Sequence, residues 1–156
     1  MIGRSVSKTT FTKILVQVAP ELFLDASYAI ALSSATDRHH QRAVELSSQV
    51  EADNSDLVTT RAMILEICNA LSRLRYRAAA VALLDAVEND PAVEVVALSE
   101  DLYSRGLELY RRHQDKEWGL TDCISFTVMR ERSITDALTA DDHFRQAGFR
   151  VLLTQS

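Results

Sequence analysis

The chain has 156 residues, of which 47% are hydrophobic and 25% are charged. This length and composition are ordinary for a single soluble domain that can bury a hydrophobic core. No stretch approaches the roughly 20 apolar residues that span a bilayer, so we expect no membrane association. The formal net charge of -5 argues against a nucleic-acid binder of the usual basic kind. However, arginine makes up 14 of the 17 basic residues, and arginine is the better bidentate ligand for phosphate.

Residues 1–20 carry a few basic side chains and a short apolar run, without the apolar core and cleavage site of a signal peptide. We predict that they form a poorly ordered tail, and that residues 21–156 form one domain. The only two cysteines, Cys68 and Cys123, lie in apolar segments of helical character. They are expected to be buried free thiols, as is usual in a reducing cytoplasm.

Short apolar segments alternate with helical ones along the chain. The segments of strand character cover residues 22–25, 56–60, 93–98, 136–139 and 149–153. The segments of helical character cover residues 41–50, 60–75, 77–89, 99–113 and 121–131, with a short one before Gly148. This alternation predicts an α/β fold, a three-layer sandwich with a mainly parallel central sheet flanked by helices.

Four carboxylates occupy unusual places in this pattern. Asp25 and Asp141 follow predicted strands, and ligands of parallel sheets bind beyond the carboxyl ends of the strands. Glu66 lies on the shoulder of an apolar helix face, and Asp122 lies in the first turn of an apolar helix. Converging acids raise each other's pKa, and Mg²⁺ or Mn²⁺ relieves their repulsion. Such a site can hydrolyse phosphodiesters with an activated water.

Each of these acids also has a purely structural interpretation. Asp25 and Asp141 could each cap the helix that follows. Asp122 could be stabilised by the helix dipole behind a Thr121 cap, and Glu66 could pair with a nearby arginine on the surface. Spacing alone leaves both interpretations open.

Three segments carry a resemblance to a known family. They read LFLDASYAIAL, VTTRAMILEICNALSR and LTDCISFTVMRERSITDALTADDHFRQAGF. Their order closely resembles the PIN-domain family, and in particular the VapC-type ribonuclease toxins of prokaryotic toxin–antitoxin pairs. The resemblance extends from Leu22 to Leu153, which is essentially the whole predicted domain.

This resemblance implies a PIN-like fold and an endoribonuclease that cleaves single-stranded RNA with a divalent metal. Asp25, Glu66, Asp122 and Asp141 match the four acids that bind Mg²⁺ or Mn²⁺ in such proteins, and Ser27 matches the small polar residue after the first acid. The resemblance further implies a cognate antitoxin protein as a partner. We also expect a homodimer and a cytoplasmic location.

Other residues near these motifs are secondary candidates. Asp142, directly after the fourth acid, could assist at the site or cap the next helix. Arg61, Arg73 and Arg75 are candidates for phosphate contacts, with solvated surface or antitoxin binding as the alternative. His143 is expected to pack beside its neighbour in sequence, a phenylalanine.

Trp118 precedes the helix of Asp122, where core or rim packing is the expected role and stacking on an RNA base is the alternative. A phospho-acceptor receiver or phosphatase would also place an acid at a strand end. The chain lacks the paired acids and the strand-end lysine that this function needs. A catalytically inactive PIN fold that binds RNA or protein is the remaining alternative, and the presence of all four acids argues against it.

Overall fold

The computed structural model describes residues 19–154, so nearly all of the predicted tail over residues 1–20 lies outside the described residues. Between residues 19 and 154 the chain forms five strands and seven helices. The strands are β1 (Glu21–Leu24), β2 (Asp56–Thr60), β3 (Val93–Val96), β4 (Asp136–Leu138) and β5 (Arg150–Val151). The helices are α1 (Ala26–Ser33), α2 (His40–Ala52), α3 (Arg61–Ala70), α4 (Leu74–Asn89), α5 (Glu100–Arg112), α6 (Leu120–Glu131) and α7 (Asp142–Gln146).

The five strands form one parallel sheet in the order β3-β2-β1-β4-β5. Helices flank this sheet, as the alternating sequence pattern predicted. The chain adds strands to one side of β1 through β2 and β3, and then to the other side through β4 and β5. The strand order therefore reverses between β1 and β4, and such a switch point is where an open α/β sheet forms a ligand crevice.

Aromatic packing fixes the two helices that border this crevice. Phe126 of α6 and Phe144 of α7 are fully buried, and their rings meet edge to face with centroids 5.0 Å apart. Phe144 also packs on Phe23 of β1 at 5.9 Å. Buried aromatic pairs of this kind add to the stabilisation from burial alone. Helices α6 and α7 are thus anchored to the central strand of the sheet.

A glycine permits the close crossing of α5 and α6. A Cβ atom at Gly106 would lie 2.6 Å from Cγ1 of Ile124, closer than real side chains approach. Both residues are buried, so α6 rests directly on the backbone of α5.

The prediction of a single helix over residues 60–75 is wrong, because residues 71–73 interrupt it. Helix α3 ends at Ala70, and α4 begins at Leu74 after an extended Arg73. The Arg77 guanidinium donates a hydrogen bond to the Ser72 carbonyl at 2.9 Å, which satisfies one backbone group in the break. Both helices contact α1, but beyond the break the partners differ, because α3 also packs against α6 whereas α4 packs against β3.

Both cysteines are free thiols, and Cys123 is fully buried. Burial raises the pKa of Cys123 to about 11, which leaves it protonated and unreactive at neutral pH. No helix within residues 19–154 has the length and apolar character that a membrane span requires.

Candidate active site

Two of the four predicted acids lie at the ends of adjacent parallel strands. Asp25 directly follows β1, and its backbone N–H donates to the carbonyl of Leu138, the last residue of β4, at 3.2 Å. Asp141 lies three residues beyond Leu138, at the start of α7. Asp25 is only 5% exposed, which is unusual for a carboxylate that has no basic partner among residues 19–154.

One oxygen of Asp25 receives all the hydrogen bonds that the described residues offer this carboxylate. Its Oδ2 accepts from the Ser27 backbone N–H at 3.1 Å, the Ser27 hydroxyl at 2.5 Å and the Thr139 hydroxyl at 2.8 Å. Its Oδ1 accepts none from residues 19–154. Within the described residues the carboxylate is therefore held through one oxygen only.

The same two hydroxyls extend the network to the loop of the second acid. Thr139 Oγ1 accepts a hydrogen bond from the Asp141 backbone N–H at 2.9 Å, and Ser27 Oγ accepts one from Ala140 N–H at 3.0 Å. Thr139 is fully buried. Ser27 and Thr139 thus fix the position of Asp25 relative to the backbone of Asp141.

Asp122 lies in the first turn of α6, as predicted, but the expected Thr121 cap is wrong. The N-cap is Gly119, whose backbone N–H donates to Asp122 Oδ2 at 2.9 Å. Glycine has no side chain that could cap the helix. The carboxylate of Asp122, in the first turn, instead accepts a hydrogen bond from the backbone N–H of the N-cap residue. Thr121 instead lies inside the first turn, half-buried.

His143 faces the acids, whereas the sequence analysis expected it to pack beside the phenylalanine that follows it. Its Nδ1 lies 3.2 Å from Asp122 Oδ2 and 3.5 Å from Asp141 Oδ1. Asp141 Oδ1 also accepts from the His143 backbone N–H at 2.9 Å, so Asp141 caps α7. Ligand atoms of these three residues all lie within 4.8 Å of one another, a spacing that suits a metal ion.

The alternative prediction that Asp25 and Asp141 cap the helices that follow them is therefore confirmed. Capping does not exclude a role at the site, because in each carboxylate it engages one oxygen. Asp142 is exposed and pairs with Arg145 within α7. It belongs to the first turn of that helix and is not the cap.

Glu66, on α3, and Asp25 lie outside the three-residue group that is spaced for a metal ion, but both are close enough to influence the other acids electrostatically. Much of its side chain is exposed, yet burial near its carboxyl end raises its pKa, and the charges of Asp25 and Asp122 raise it further. The Thr121 hydroxyl opposes this with a smaller lowering of the pKa, and Asp141 adds a smaller increase. Glu66 forms no ion pair within residues 19–154, so the predicted alternative of a surface pair with arginine is not realised.

The negative charges of these acids are poorly compensated by the surrounding protein. Burial raises the pKa of Asp25, despite the hydrogen bonds from Ser27 and Thr139. Burial also raises the pKa of Asp122, which the Gly119 N–H partly offsets. Within residues 19–154 no lysine or arginine forms an ion pair with any of the four acids, and the imidazole of His143 is the basic side chain that contacts them. Oxygen donors with excess negative charge fit a hard divalent cation.

The arginines predicted to contact phosphate are exposed, and none contacts these acids. Arg61 pairs with Glu88 of α4 at 2.8 Å. The Arg75 guanidinium lies over the Tyr76 ring, 4.6 Å from its centroid. Arg73 lies in the break between α3 and α4. Their role in binding phosphate stays a prediction.

Comparison with known proteins agrees with this architecture. Residues 22–150 match the PIN domain family. The chain is 33% identical over 129 residues to the 23S rRNA-specific endonuclease VapC20 of Mycobacterium tuberculosis, covering 82% of this chain and 95% of that protein. The chain therefore belongs to the PIN-domain family.

Solved structures share the fold. The crystal structure of M. tuberculosis VapC20, described as a toxin that cleaves the sarcin–ricin loop, superposes with a TM-score of 0.74 at 30% identity, covering 82% of this chain and 95% of that one. FitAcB from Neisseria gonorrhoeae gives a TM-score of 0.58 at 17% identity, with 84% and 96% covered. VapBC2 from Rickettsia felis, bound to a DNA fragment from its promoter, gives 0.62 at 13% identity, with 84% and 96% covered. At these lower identities the likeness concerns the fold alone.

Proposed function

We propose that this chain is a VapC-type endoribonuclease that cleaves single-stranded RNA in the cytoplasm and depends on Mg²⁺ or Mn²⁺. The observation that carries the proposal is the set formed by Asp25, Glu66, Asp122 and Asp141, three of which have raised pKa values and none of which pairs with lysine or arginine within residues 19–154. The similarity to VapC20, named for cleavage of 23S rRNA, supports RNA as the substrate class.

The four acids would hold the cation from three directions. Asp25 would offer Oδ1, because Ser27 and Thr139 already occupy Oδ2. Asp122 and Asp141 would offer oxygens from the first turn and the N-cap of their helices, and Glu66 would close the set from the exposed side. A bound divalent ion supplies an acidified water and positive charge at the scissile phosphate. Rigid elements carry each carboxylate, which keeps this geometry fixed during the reaction.

Chelation tests this proposal directly. Purified protein should cut a labelled single-stranded RNA in Mg²⁺ or Mn²⁺, lose all cleavage in EDTA and regain it when the metal is restored. Undiminished cleavage in EDTA would contradict the metal mechanism. RNA binding without any cleavage in either metal would instead favour an inactive PIN fold that serves as a binding module.

We further propose that a cognate antitoxin inhibits the enzyme by covering the acids. The acidic site presents several carboxylates and no paired arginine or lysine within the described residues, so a basic side chain of the partner would find strong charge-assisted hydrogen bonds there. The antitoxin should then compete with RNA. A complex that cuts RNA at the rate of the free protein would contradict occlusion of the site.

We also propose that the chain forms a homodimer through exposed apolar side chains of α3 and α4. Leu65 of α3 is 55% exposed, and Leu74 and Val81 of α4 are 93% and 48% exposed. A second copy that covers these side chains would remove apolar surface from water. Light scattering should give the mass of a dimer for the wild type and a mass closer to that of the monomer for Leu74→Glu. Identical masses for the two proteins would place the interface elsewhere.

A further inference from the structure

A groove of about 800 Å³ lies beside the site of the four acids, between the end of α5 and the start of α6. This volume is within the range of ligand-binding pockets in proteins. The four acids do not line it. Its lining combines aromatic and basic side chains with backbone, and includes Tyr110, Arg111, His113, Lys116, Trp118 and Gly119.

The groove shares one residue with the acidic site. Gly119 lines the groove, and its backbone N–H donates to Asp122 Oδ2 at 2.9 Å. Leu120, the first residue of α6, also lines it. One rim of the groove is therefore the first turn of the helix that carries Asp122. The groove and the acidic site are thus adjacent.

A rigid aromatic floor supports the groove. Trp118 is 6% exposed, its indole N–H donates to Gln146 Oε1 at 3.2 Å, and its ring meets Phe126 edge to face at 5.1 Å. His113 stacks on Trp118 with ring centroids 4.8 Å apart. The Nδ1 atom of His113 contacts the Leu109 carbonyl at 3.0 Å, which fixes the ring. Burial of Trp118 confirms the expected packing role of this residue.

The exposed edge of the groove has an aromatic ring and local positive charge. Tyr110, in the last turn of α5, is 47% exposed. Among the described residues that line the groove, Arg111 and Lys116 contribute positive charge and Glu117 contributes negative charge. Lys116 lies 3.6 Å from the exposed Asp115, a pair that solvent screens. The sign of the lining thus opposes the net charge of -5 on the whole chain.

We propose that this groove binds the single-stranded RNA segment next to the scissile phosphate, with one base stacked on Tyr110 and backbone phosphates held by Arg111 and Lys116. Proteins bind single strands in this way, through aromatic platforms beside basic side chains. The inference rests on the ribonuclease function proposed above and adds the path of the substrate. Trp118 acts as a positioning residue, because it supports His113 and the loop and is too buried to stack on a base.

Two tyrosines on the same helix provide a matched test. Tyr110→Ala removes the proposed platform, and Tyr103→Ala removes an equivalent ring two turns earlier on α5 that is 40% exposed and does not line the groove. Binding of a fluorescein-labelled single-stranded RNA, measured by anisotropy in EDTA to prevent cleavage, should weaken at least about five-fold for Tyr110→Ala. Tyr103→Ala should remain near the wild type, and Tyr110→Phe should retain binding. Equal affinities for the two alanine variants would overturn the proposal.

Cleavage kinetics separate failure of the groove from failure of the function. In Mn²⁺, Tyr110→Ala should raise KM with kcat unchanged, because stacking beside the site contributes equally to the ground state and the transition state. If the wild type cleaves RNA and Tyr110→Ala has an unchanged KM, the proposed role of the groove is refuted and the proposed ribonuclease function is retained. Weaker RNA binding by Tyr110→Ala, in a protein that cuts nothing in either metal, would support the groove and refute the ribonuclease.

Discussion

The Thr139 hydroxyl donates a hydrogen bond to Asp25 Oδ2 at 2.8 Å and accepts one from the Asp141 backbone N–H at 2.9 Å. A single buried oxygen thus joins two acids that come from opposite ends of the domain sequence. Such outer contacts orient metal ligands, and losing them typically lowers metal affinity.

Thr139→Val keeps the shape of this side chain but removes the hydroxyl. The Asp141 N–H then loses its acceptor, and we expect a loss of stability of roughly 1–3 kcal/mol. We also expect Mn²⁺ affinity to fall roughly 10–100-fold, because Asp25 is no longer fixed by Thr139. Isothermal titration with Mn²⁺ measures this. Thr139→Ser is the control and should bind near the wild-type level, whereas wild-type affinity in Thr139→Val would show that the bond only serves the fold.

Stability of the metal-free protein should depend on pH through Asp25. Burial raises the pKa of Asp25 above its value in the unfolded chain, which is about 3.9. Below the unfolded pKa both states bind the proton, and there is no penalty. As the pH rises above it, the unfolded state releases its proton first, so the folded state loses stability.

Asp25→Asn removes this titration. In EDTA, the variant should match the wild type near pH 4 and become the more stable of the two as the pH rises toward neutrality. Thermal melting at several pH values measures the difference. A difference in melting temperature that stays constant over this range would contradict the assignment of the penalty to Asp25.

Gly106→Ala should disturb the site from a distance. The added methyl group would meet Ile124 at 2.6 Å, and overpacking of this kind costs roughly 1–3 kcal/mol. Because Ile124 and Asp122 share a helix, displacement of α6 should also reduce RNA cleavage. Urea unfolding and a cleavage assay measure the two effects. Ser104→Ala, on an exposed position of α5, should leave both unchanged, and a Gly106→Ala protein of wild-type stability would contradict the close crossing.

The sequence was most informative about the strands. Apolar runs that end in an acid predicted both the parallel sheet and the location of Asp25, because buried parallel strands are continuously apolar and their carboxyl ends share one edge. The apolar helix with Asp122 in its first turn was also predicted with nearly the bounds observed.

Contacts between distant segments could not be predicted in the same way. The bond from Thr139 to Asp25 depends on the pairing of β1 with β4, and periodicity does not report pairing. The break after Ala70 was missed because helical propensity continues through residues 71–73. Its position depends on tertiary packing, in which α3 contacts α6 and α4 contacts β3. His143 had one available signal, since it lies two residues after Asp141, but its direction depends on where α6 places Asp122.

We propose that Asp25 takes part in the reaction in addition to capping α1. Asn caps a helix as well as Asp does, so Asp25→Asn should fold normally. Asp142→Asn is the matched control, because Asp142 is an exposed acid next to the site that pairs with Arg145. The decisive measurement is cleavage of a labelled single-stranded RNA by both variants in Mn²⁺. We predict no cleavage by Asp25→Asn and a rate within about two-fold of the wild type for Asp142→Asn; retained cleavage by a folded Asp25→Asn protein would contradict a role of Asp25 in the reaction.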